Sequence, residues 1–434
     1  MILGFQLRRR LPIFKPGSLL VNTSVFSVGL CIRAIFQILL FIALTRFLGV
    51  DGYGAIVAAL AIASFLVPMV GLGSGTQIIL HTAKSPEKFS ALFGRGLALI
   101  GLSGLPLLML GFILSWFILP GTIPWIVSAA VLLSELIFAP IIDLCSKAYQ
   151  GFERFGRMSI LQAGLVFFRL IALGVIAIIW RGSGVDEWAI AYCIVTALFA
   201  IFALQLVSFE LGRPIFKKND FFITLPEGFF IAVANSGLRA HGEADKAMLA
   251  RLDSLSATGT YSAAHRLMDL ASLPLVAAIS SAYPRLVRVG TAGTIAALRD
   301  AMRLAPVAVL IAVASSSLMF CVSFLMPYLL GEQFAESAQA LRWLTALPVL
   351  WIFRSGLVTI SVACGHQQLC ATHVWFAVSV NIGLNIILIP IIGWRGATLA
   401  TYIAEFFLIF LLGISLLRIA YREYQVPHNF RDQF

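Results

Sequence analysis

The chain is poor in charge. Asp, Glu, Lys and Arg make up 12% of its 434 residues, where a soluble domain carries about twice that fraction. Cysteine is scarce as well. Cys31, Cys145, Cys193, Cys321, Cys364 and Cys370 form no CxxC pair and no Cys/His ligand set, which excludes a structural metal site and leaves free thiols in or beside apolar runs. There is no phosphate-cradling glycine loop ending in Lys-Ser/Thr, no nucleophile–base pair and no metal-ligand spacing. A pump driven directly by ATP and an enzyme are thereby excluded. No hydrophilic stretch is long enough for a separate globular domain, and none matches the large external loop of an integral-membrane polymerase or ligase.

What the chain has instead is 60% apolar residues, gathered into runs of about 20 from end to end. Twelve runs are readable: 21–44, 55–79, 95–118, 124–146, 158–180, 188–209, 226–249, 259–282, 304–329, 343–364, 370–391 and 396–417. The expected fold class is an all-α polytopic membrane protein of about 12 transmembrane helices. Lysine and arginine set the orientation. Of 31, 20 fall on the side shared by both termini and the even-numbered loops, 6 on the other side and 5 inside spans. Both termini are therefore expected in the cytoplasm. The formal charge of +11 reflects this bias and contact with anionic membrane lipids, not nucleic acid. The first run follows Arg8-Arg9-Arg10 as a signal peptide would, but its length and the presence of Arg33 mark it as a span.

Five arginines lie within spans: Arg33, Arg169, Arg239, Arg266 and Arg354. Each costs roughly 2.5–3.5 kcal/mol at mid-bilayer on insertion scales, so a chain that keeps several is expected to use them. Asn22, Gly29, Arg33 and Gln37 share one helical stripe, as do Gln162 and Arg169. The seventh run is the most polar, with Asn235, Arg239, Glu243 and Lys246 on one face, where Arg239 and Glu243 are spaced for an i,i+4 pair. In the eighth, Arg266 and Asp269 are spaced for an i,i+3 pair beside His265. Arg354 has only Ser355, Thr359 and Ser361 as polar neighbours. Each arginine faces either a water-filled cavity or an acid on another helix. Guanidinium keeps its charge at any physiological pH and grips phosphate oxygens bidentately, so a cationic cavity points to an anionic cargo. Glu135, Asp245, Asp269 and Glu405 are the acids inside spans, with Asp143 near the end of span four. An acid that alternates between paired and solvated states binds H⁺ or Na⁺ in turn and couples transport to a gradient. Glu135 and Glu405, with no basic neighbour within a helical turn, are the better candidates; a permanent salt bridge to one of the arginines is the alternative. No other cofactor is expected.

The two halves echo each other. Arg46-Phe47-Leu48-Gly49-Val50-Asp51-Gly52-Tyr53-Gly54-Ala55 after span one parallels Arg251-Leu252-Asp253 with Gly259-Thr260-Tyr261-Ser262-Ala263 after span seven. Six spans per half places both halves the same way up, related by an axis along the membrane normal. Residues 1–220 and 221–434 are the expected halves.

These residues carry a resemblance to a known family. The Arg46–Gly54 turn, Asp245-Lys246 with Leu249, and Gly259-Thr260-Tyr261-Ser262-Ala263-Ala264 with Arg266-Leu267 are similar to the Wzx-type polysaccharide flippases of the multidrug/oligosaccharidyl-lipid/polysaccharide superfamily. So are Tyr283-Pro284-Arg285-Leu286, Leu330-Gly331-Glu332-Gln333-Phe334, and Asn381, Asn385 and Leu388-Ile389-Pro390 with Gly393, Gly396 and Ala397. The resemblance implies a MATE-like fold of two six-helix lobes around a central cavity. It implies a flippase moving undecaprenyl-diphosphate-linked oligosaccharide, such as an O-antigen or exopolysaccharide repeat unit, across the bacterial inner membrane. Arg33, Arg169, Arg239, Arg266, Arg354, Gln37 and Asn235 are then the candidate cargo contacts, and a polysaccharide polymerase machinery is a candidate partner. The rivals are a lipid II flippase of the MurJ type, where fourteen spans are expected, and a cation-coupled exporter of the MATE type, where acidic cavities are expected.

Overall fold

A computed structural model describes residues 16–179, 184–216, 225–291 and 293–425. The expected division at 220/221 and the basic residues Arg8, Arg9, Arg10, Lys15, Lys217, Lys218 and Arg431 lie outside them. The described residues form sixteen α-helices: α1 (Pro16–Leu66), α2 (Ser74–Lys84), α3 (Phe89–Ile118), α4 (Trp125–Leu133), α5 (Ala139–Gly151), α6 (Phe155–Ile179), α7 (Val185–Glu210), α8 (Leu225–Leu252), α9 (Leu255–Ala271), α10 (Leu273–Gly290), α11 (Thr294–Ser323), α12 (Met326–Leu330), α13 (Ala335–Leu344), α14 (Leu347–Ala363), α15 (Gln367–Ile392) and α16 (Trp394–Gln425). No strand occurs among the described residues.

Among the described residues eight helices are long and apolar enough to cross a membrane, or nine if the bent pair Glu332–Leu344 and Leu347–Ala363 is one span. The first of them, Ser27–Ile79, has 53 residues, about 80 Å of helix at 1.5 Å per residue, and so makes two crossings of a core about 30 Å thick. The chain divides at Gly49, whose backbone (φ 68°, ψ −176°) no other residue adopts cheaply. Helix α8 is long enough to cross and is set apart by its polar and charged residues, while α9 and α10 follow one another through Ser272. With these the helices group into the twelve crossings expected. Their outward faces carry Ile113, Trp116, Ile178, Leu310, Ile387 and Phe410, all exposed and suited to lipid tails.

Several crossings are not straight, and each break has a cause in the sequence. Span two stops at Leu66 before Pro68, passes through a 3₁₀ segment (Val67–Gly73) with Gly71 (φ 71°), Leu72 (φ 46°) and Gly73 (φ 76°) left-handed, and resumes as α2. The Gly71 N–H freed there donates to Ser103 Oγ on α3 at 2.8 Å, so the broken turn is not left unsatisfied in the membrane. Span four runs through a π-turn at Ser134–Phe138 between α4 and α5. Pro140 cannot donate to the Leu136 carbonyl, which loosens the helix at that point. Span ten bends by 49° between α13 and α14, where Pro348 likewise has no N–H to give Leu344.

Packing closes one end of the molecule and leaves the other divided. At the end holding the turns after spans one and seven, a single buried cluster runs from Tyr53, Ala58 and Leu66 through Leu249, Tyr261 and Ala264 to Phe334 and Leu341. At the opposite end, where the basic loops lie, the buried residues separate. One group contains Phe89, Phe93, Tyr149 and Val207 from the first six crossings, and another contains Ala240, Val374, Ala377 and Leu408 from the last six.

Candidate functional site

Between those separated groups lies a cavity of about 1030 Å³. Its wall is built from the broken part of span two (Pro68, Gly73, Thr76), from α1 (Arg33, Ser64), from span four around its π-turn (Glu135, Asp143, Lys147), and from α8 and α14 (Arg239, Arg354, Thr359). The broken turn of span two and the π-turn of span four therefore both sit at the cavity. The left-handed turn exposes the polar start of α2, and the π-turn places Glu135 on the wall.

Three of the five expected arginines reach this wall. Arg33 donates from Nη1 to Gln162 Oε1 at 3.0 Å, a neutral partner that orients the guanidinium without cancelling its charge. Arg239 is exposed, and among the described residues it forms no ion pair. The expected Arg239–Glu243 pair does not form: Glu243 is taken by Lys246, whose Nζ lies 2.6 Å from Oε2. Lysine at i+3 is the shorter reach, and it turns the acid away from the cavity. Arg354 is the third. Its Nε lies 3.3 Å from Oε2 of Glu405, and its guanidinium carbon is 5.8 Å from the Trp351 ring centre.

The other two arginines lie off the wall. Arg169 is half-buried behind Glu135, 3.5 Å from its Oε1. It also donates to Thr196 Oγ1 at 2.9 Å and stacks 3.8 Å over the Tyr192 ring. Tyr192 Oη donates to the same Glu135 oxygen at 2.5 Å. Arg266 is half-buried on α9, and the expected pair with Asp269, which is exposed, does not form. Gln37 is half-buried outside the lining. The side chain of Asn235 lies outside the described residues.

Both favoured acids have arginine partners from other helices, which spacing within one helix does not reveal. Glu135 stands on the wall with Arg169 behind it. Glu405 is 1% exposed and stands behind Arg354, with its other oxygen 3.2 Å from His241 Nε2. Span four and span ten, which occupy the same place in the two bundles, thus carry wall residues of opposite sign. Asp245 is buried away from the cavity. It accepts from Tyr261 Oη at 2.6 Å and from the Lys246 backbone N–H at 2.8 Å. At the mouth, Lys147 pairs with Asp143 at 2.7 Å one helical turn away.

Two site residues escaped the sequence reading. Lys147 sits where a loop lysine is expected, and only the cavity's opening at the basic end brings it into the lining. His241 lies on the far side of α8 from the Asn235–Arg239–Glu243 stripe, so a reading of the polar face alone passes over it. Among the described residues no cluster of three or more His, Cys, Asp or Glu is arranged to hold a metal ion.

Two six-helix bundles meeting at one end around a cavity open at the other, with fixed cations on its wall, define a polytopic membrane protein built around a cationic cavity. The chain belongs to the family described as polysaccharide biosynthesis protein, whose model matches residues 19–289. No curated protein matches the chain significantly. Among solved structures it shares the fold of a lipid II flippase, MurJ, in an inward closed conformation (TM-score 0.72, 15% identity, 90% of this chain and 87% of that one). It also shares the fold of an inward-facing multidrug-resistance MATE family transporter of the MOP superfamily (TM-score 0.69, 14% identity, 91% and 96%). A third is an outward-facing multidrug-resistance MATE family transporter (TM-score 0.64, 14% identity, 94% and 97%). These likenesses establish a fold shared with the MATE and MurJ transporters.

Proposed function

We propose that this protein is a flippase for a polyprenyl-diphosphate-linked oligosaccharide, moving an O-antigen or exopolysaccharide repeat unit from the cytoplasmic to the outer leaflet of the bacterial inner membrane. The observation that carries this reading is the pair Arg33 and Arg239, two arginines on the cavity wall that form no ion pair among the described residues. A cavity with such a wall favours an anion, and guanidinium forks suit phosphate oxygens. The same excess of positive charge disfavours a cationic drug as cargo. The family description adds polysaccharide synthesis to the anion. Both termini and the basic loops then lie in the cytoplasm, the cavity opens inward, and transport proceeds by rocking the halves 1–220 and 221–434 about the packed outer end. Glu135, on the wall, is the better placed of the acids for H⁺ or Na⁺ coupling; Glu405, Asp245 and Asp269 are the other candidates. The polymerase machinery would receive the cargo at the outer leaflet.

The test is transport itself. Proteoliposomes holding the purified protein are loaded with fluorescent undecaprenyl-diphosphate-linked oligosaccharide, and outer-leaflet cargo is quenched with an impermeant reagent. The expected result is flipping that is lost in the Arg33→Ala, Arg239→Ala double variant. Flipping at the wild-type rate in that variant overturns the cationic-cavity reading.

A further inference from the structure

The three arginines on the cavity wall are not equivalent, and the difference is built by three helices. Arg33 has a neutral partner and Arg239 no ion pair, whereas Arg354 faces a carboxylate that is 2% exposed at its side chain. That carboxylate, Glu405 on α16, is held on its other oxygen by His241 on α8, itself 2% exposed. Arg354 on α14 is the member that reaches the cavity, with 19% of its side chain exposed.

The Arg354–Glu405 contact is loose. Its 3.3 Å lies beyond the roughly 2.7–2.9 Å of a charge-assisted hydrogen bond, and the Trp351 side chain also hydrogen-bonds the same carboxylate. Arg285 and Asp300 at the basic end show what a locked pair looks like in this chain: two parallel bonds, at 2.8 and 2.5 Å. So the buried acid attracts Arg354 without gripping it, through the oxygen that His241 does not hold.

Other charges do not take over this role. The broken segment Val67–Gly73 packed on α8 has no titratable side chain. Helix α15 brings apolar Val374 and Ala377 with the thiol of Cys370 against the same part of α8. On α8 itself Glu243 and Lys246 are paired to each other and Asp245 is bonded to Tyr261. His265 and Asp269 of α9 act on Lys246, one and a half turns away from His241.

We propose that Glu405 is a resident counter-anion: it holds Arg354 while the cavity is empty and yields it to the anionic group of the cargo, with His241 positioning the carboxylate. This rests on the anionic-cargo reading above and names a residue that tunes it. The two states exchange one anion for another on the same guanidinium. Arg354 is therefore never left as a bare charge in the membrane, whose cost would otherwise oppose the empty transporter's return. The exchange also weakens cargo binding by the strength of the internal pair, which favours release.

Farnesyl diphosphate, a soluble short-chain polyprenyl diphosphate, is the probe. Its binding to the full-length protein in detergent micelles is measured by equilibrium dialysis. Glu405→Gln is expected to bind it about tenfold more tightly than wild type, a difference of about 1.4 kcal/mol, since loss of the pair frees Arg354, yet to turn over cargo more slowly. Arg354→Ala is expected to bind more weakly, and to abolish the gain from Glu405→Gln in the double variant. Should Glu405→Gln fail to fold, Glu405→Asp decides, because a carboxylate withdrawn by one methylene also loosens its hold and tightens probe binding. Unchanged or weaker binding in a folded Glu405 variant overturns the proposal while the cavity's anion selectivity stands, as does a gain that persists without Arg354. Absence of binding by the wild type sinks the anionic-cargo reading, and this proposal with it.

Discussion

Gly54 and Gly259 occupy the same position in each other's surroundings. A β-carbon on Gly54 would lie 2.0 Å from the Leu255 carbonyl oxygen, and one on Gly259 would lie 2.1 Å from that of Val50. Leu255 sits one helical turn ahead of Gly259, as Val50 does ahead of Gly54, so exchanging the two halves exchanges the two contacts. The echoing turns after spans one and seven are thus the surfaces by which the two bundles cross, backbone against backbone. Nearby, Arg46 donates to the carbonyls of Tyr328 and Leu329 at 2.6 and 2.8 Å, tying the end of span one to α12.

Alanine at either glycine has to displace main chain rather than a flexible side chain. Gly54→Ala and Gly259→Ala are each expected to cost about 1–3 kcal/mol and to lower the melting temperature of the purified protein. Gly383 and Gly413 lie in the same kind of helix with nothing within 4 Å of an added β-carbon, so Gly383→Ala and Gly413→Ala serve as controls that melt as wild type does. Equal melting temperatures across all four variants would remove the crossing as a determinant of closure.

How much of this was legible before the structure depends on the range of the interaction. The twelve crossings follow from run length alone, because a membrane core fixes how many apolar residues a helix needs. The repeated turn was visible as Arg46…Gly54 and Arg251…Gly259, but not that the two copies touch. Pairing was the weakest part. Spacing along α8 offered Arg239 to Glu243, whereas Lys246 competes for the same acid from the next turn. Glu135 and Glu405 looked solitary because their partners Arg169, His241 and Arg354 come from other helices. Side-chain partners across a bundle depend on helix rotation and tilt, which period and composition do not encode.

The arginines divide into two groups by what their removal leaves behind. Arg33→Ala and Arg239→Ala strand no acid, since Arg33 binds Gln162 and Glu243 keeps Lys246. Both variants are expected at normal membrane abundance with export reduced at least tenfold, and Arg33→Lys is expected to restore export only in part because it lacks the guanidinium fork. Arg169→Ala leaves Glu135 facing Tyr192 and Thr196 without a cation. It is expected to lose about 3 kcal/mol, the low end for a broken buried pair, since Glu135 is partly solvated at the cavity. Immunoblots of membrane fractions beside surface polysaccharide separate the two groups. Low abundance of Arg239→Ala with normal Arg169→Ala would reverse the assignment.

The tie between α10 and α11 at the basic end has a defined pH range. Hydrogen bonds from Arg285 hold the Asp300 carboxyl below its ordinary value. A carboxyl whose folded value lies below its unfolded one, about 3.9, stabilises fully above that unfolded value. The contribution fades as pH falls through the lowered folded value. Wild type is thus expected to melt above Asp300→Asn at pH 6, with the two curves converging as pH falls through that lowered value. A constant offset across that range would show that the variant acts through packing instead.

Orientation and the state of the cavity are testable together. The two exposed native thiols, Cys31 and Cys321, are first replaced by serine. With the basic loops in the cytoplasm, Gly121→Cys and Gly184→Cys should react with an impermeant maleimide added to intact cells, and Pro86→Cys and Ile215→Cys should not. Thr76 is exposed at the start of α2 and lines the cavity, while the opposite end is sealed by the cluster around Tyr53, Tyr261 and Phe334. A cysteine there, Thr76→Cys, should therefore label from the cytoplasmic side in inside-out vesicles and remain protected in intact cells. If the first four sites label as expected but Thr76→Cys reacts from outside, the orientation stands and the resting protein opens outward. If Gly121→Cys and Gly184→Cys are protected while Pro86→Cys reacts in intact cells, the positive charge lies outside, and the inward-opening cavity fails with it.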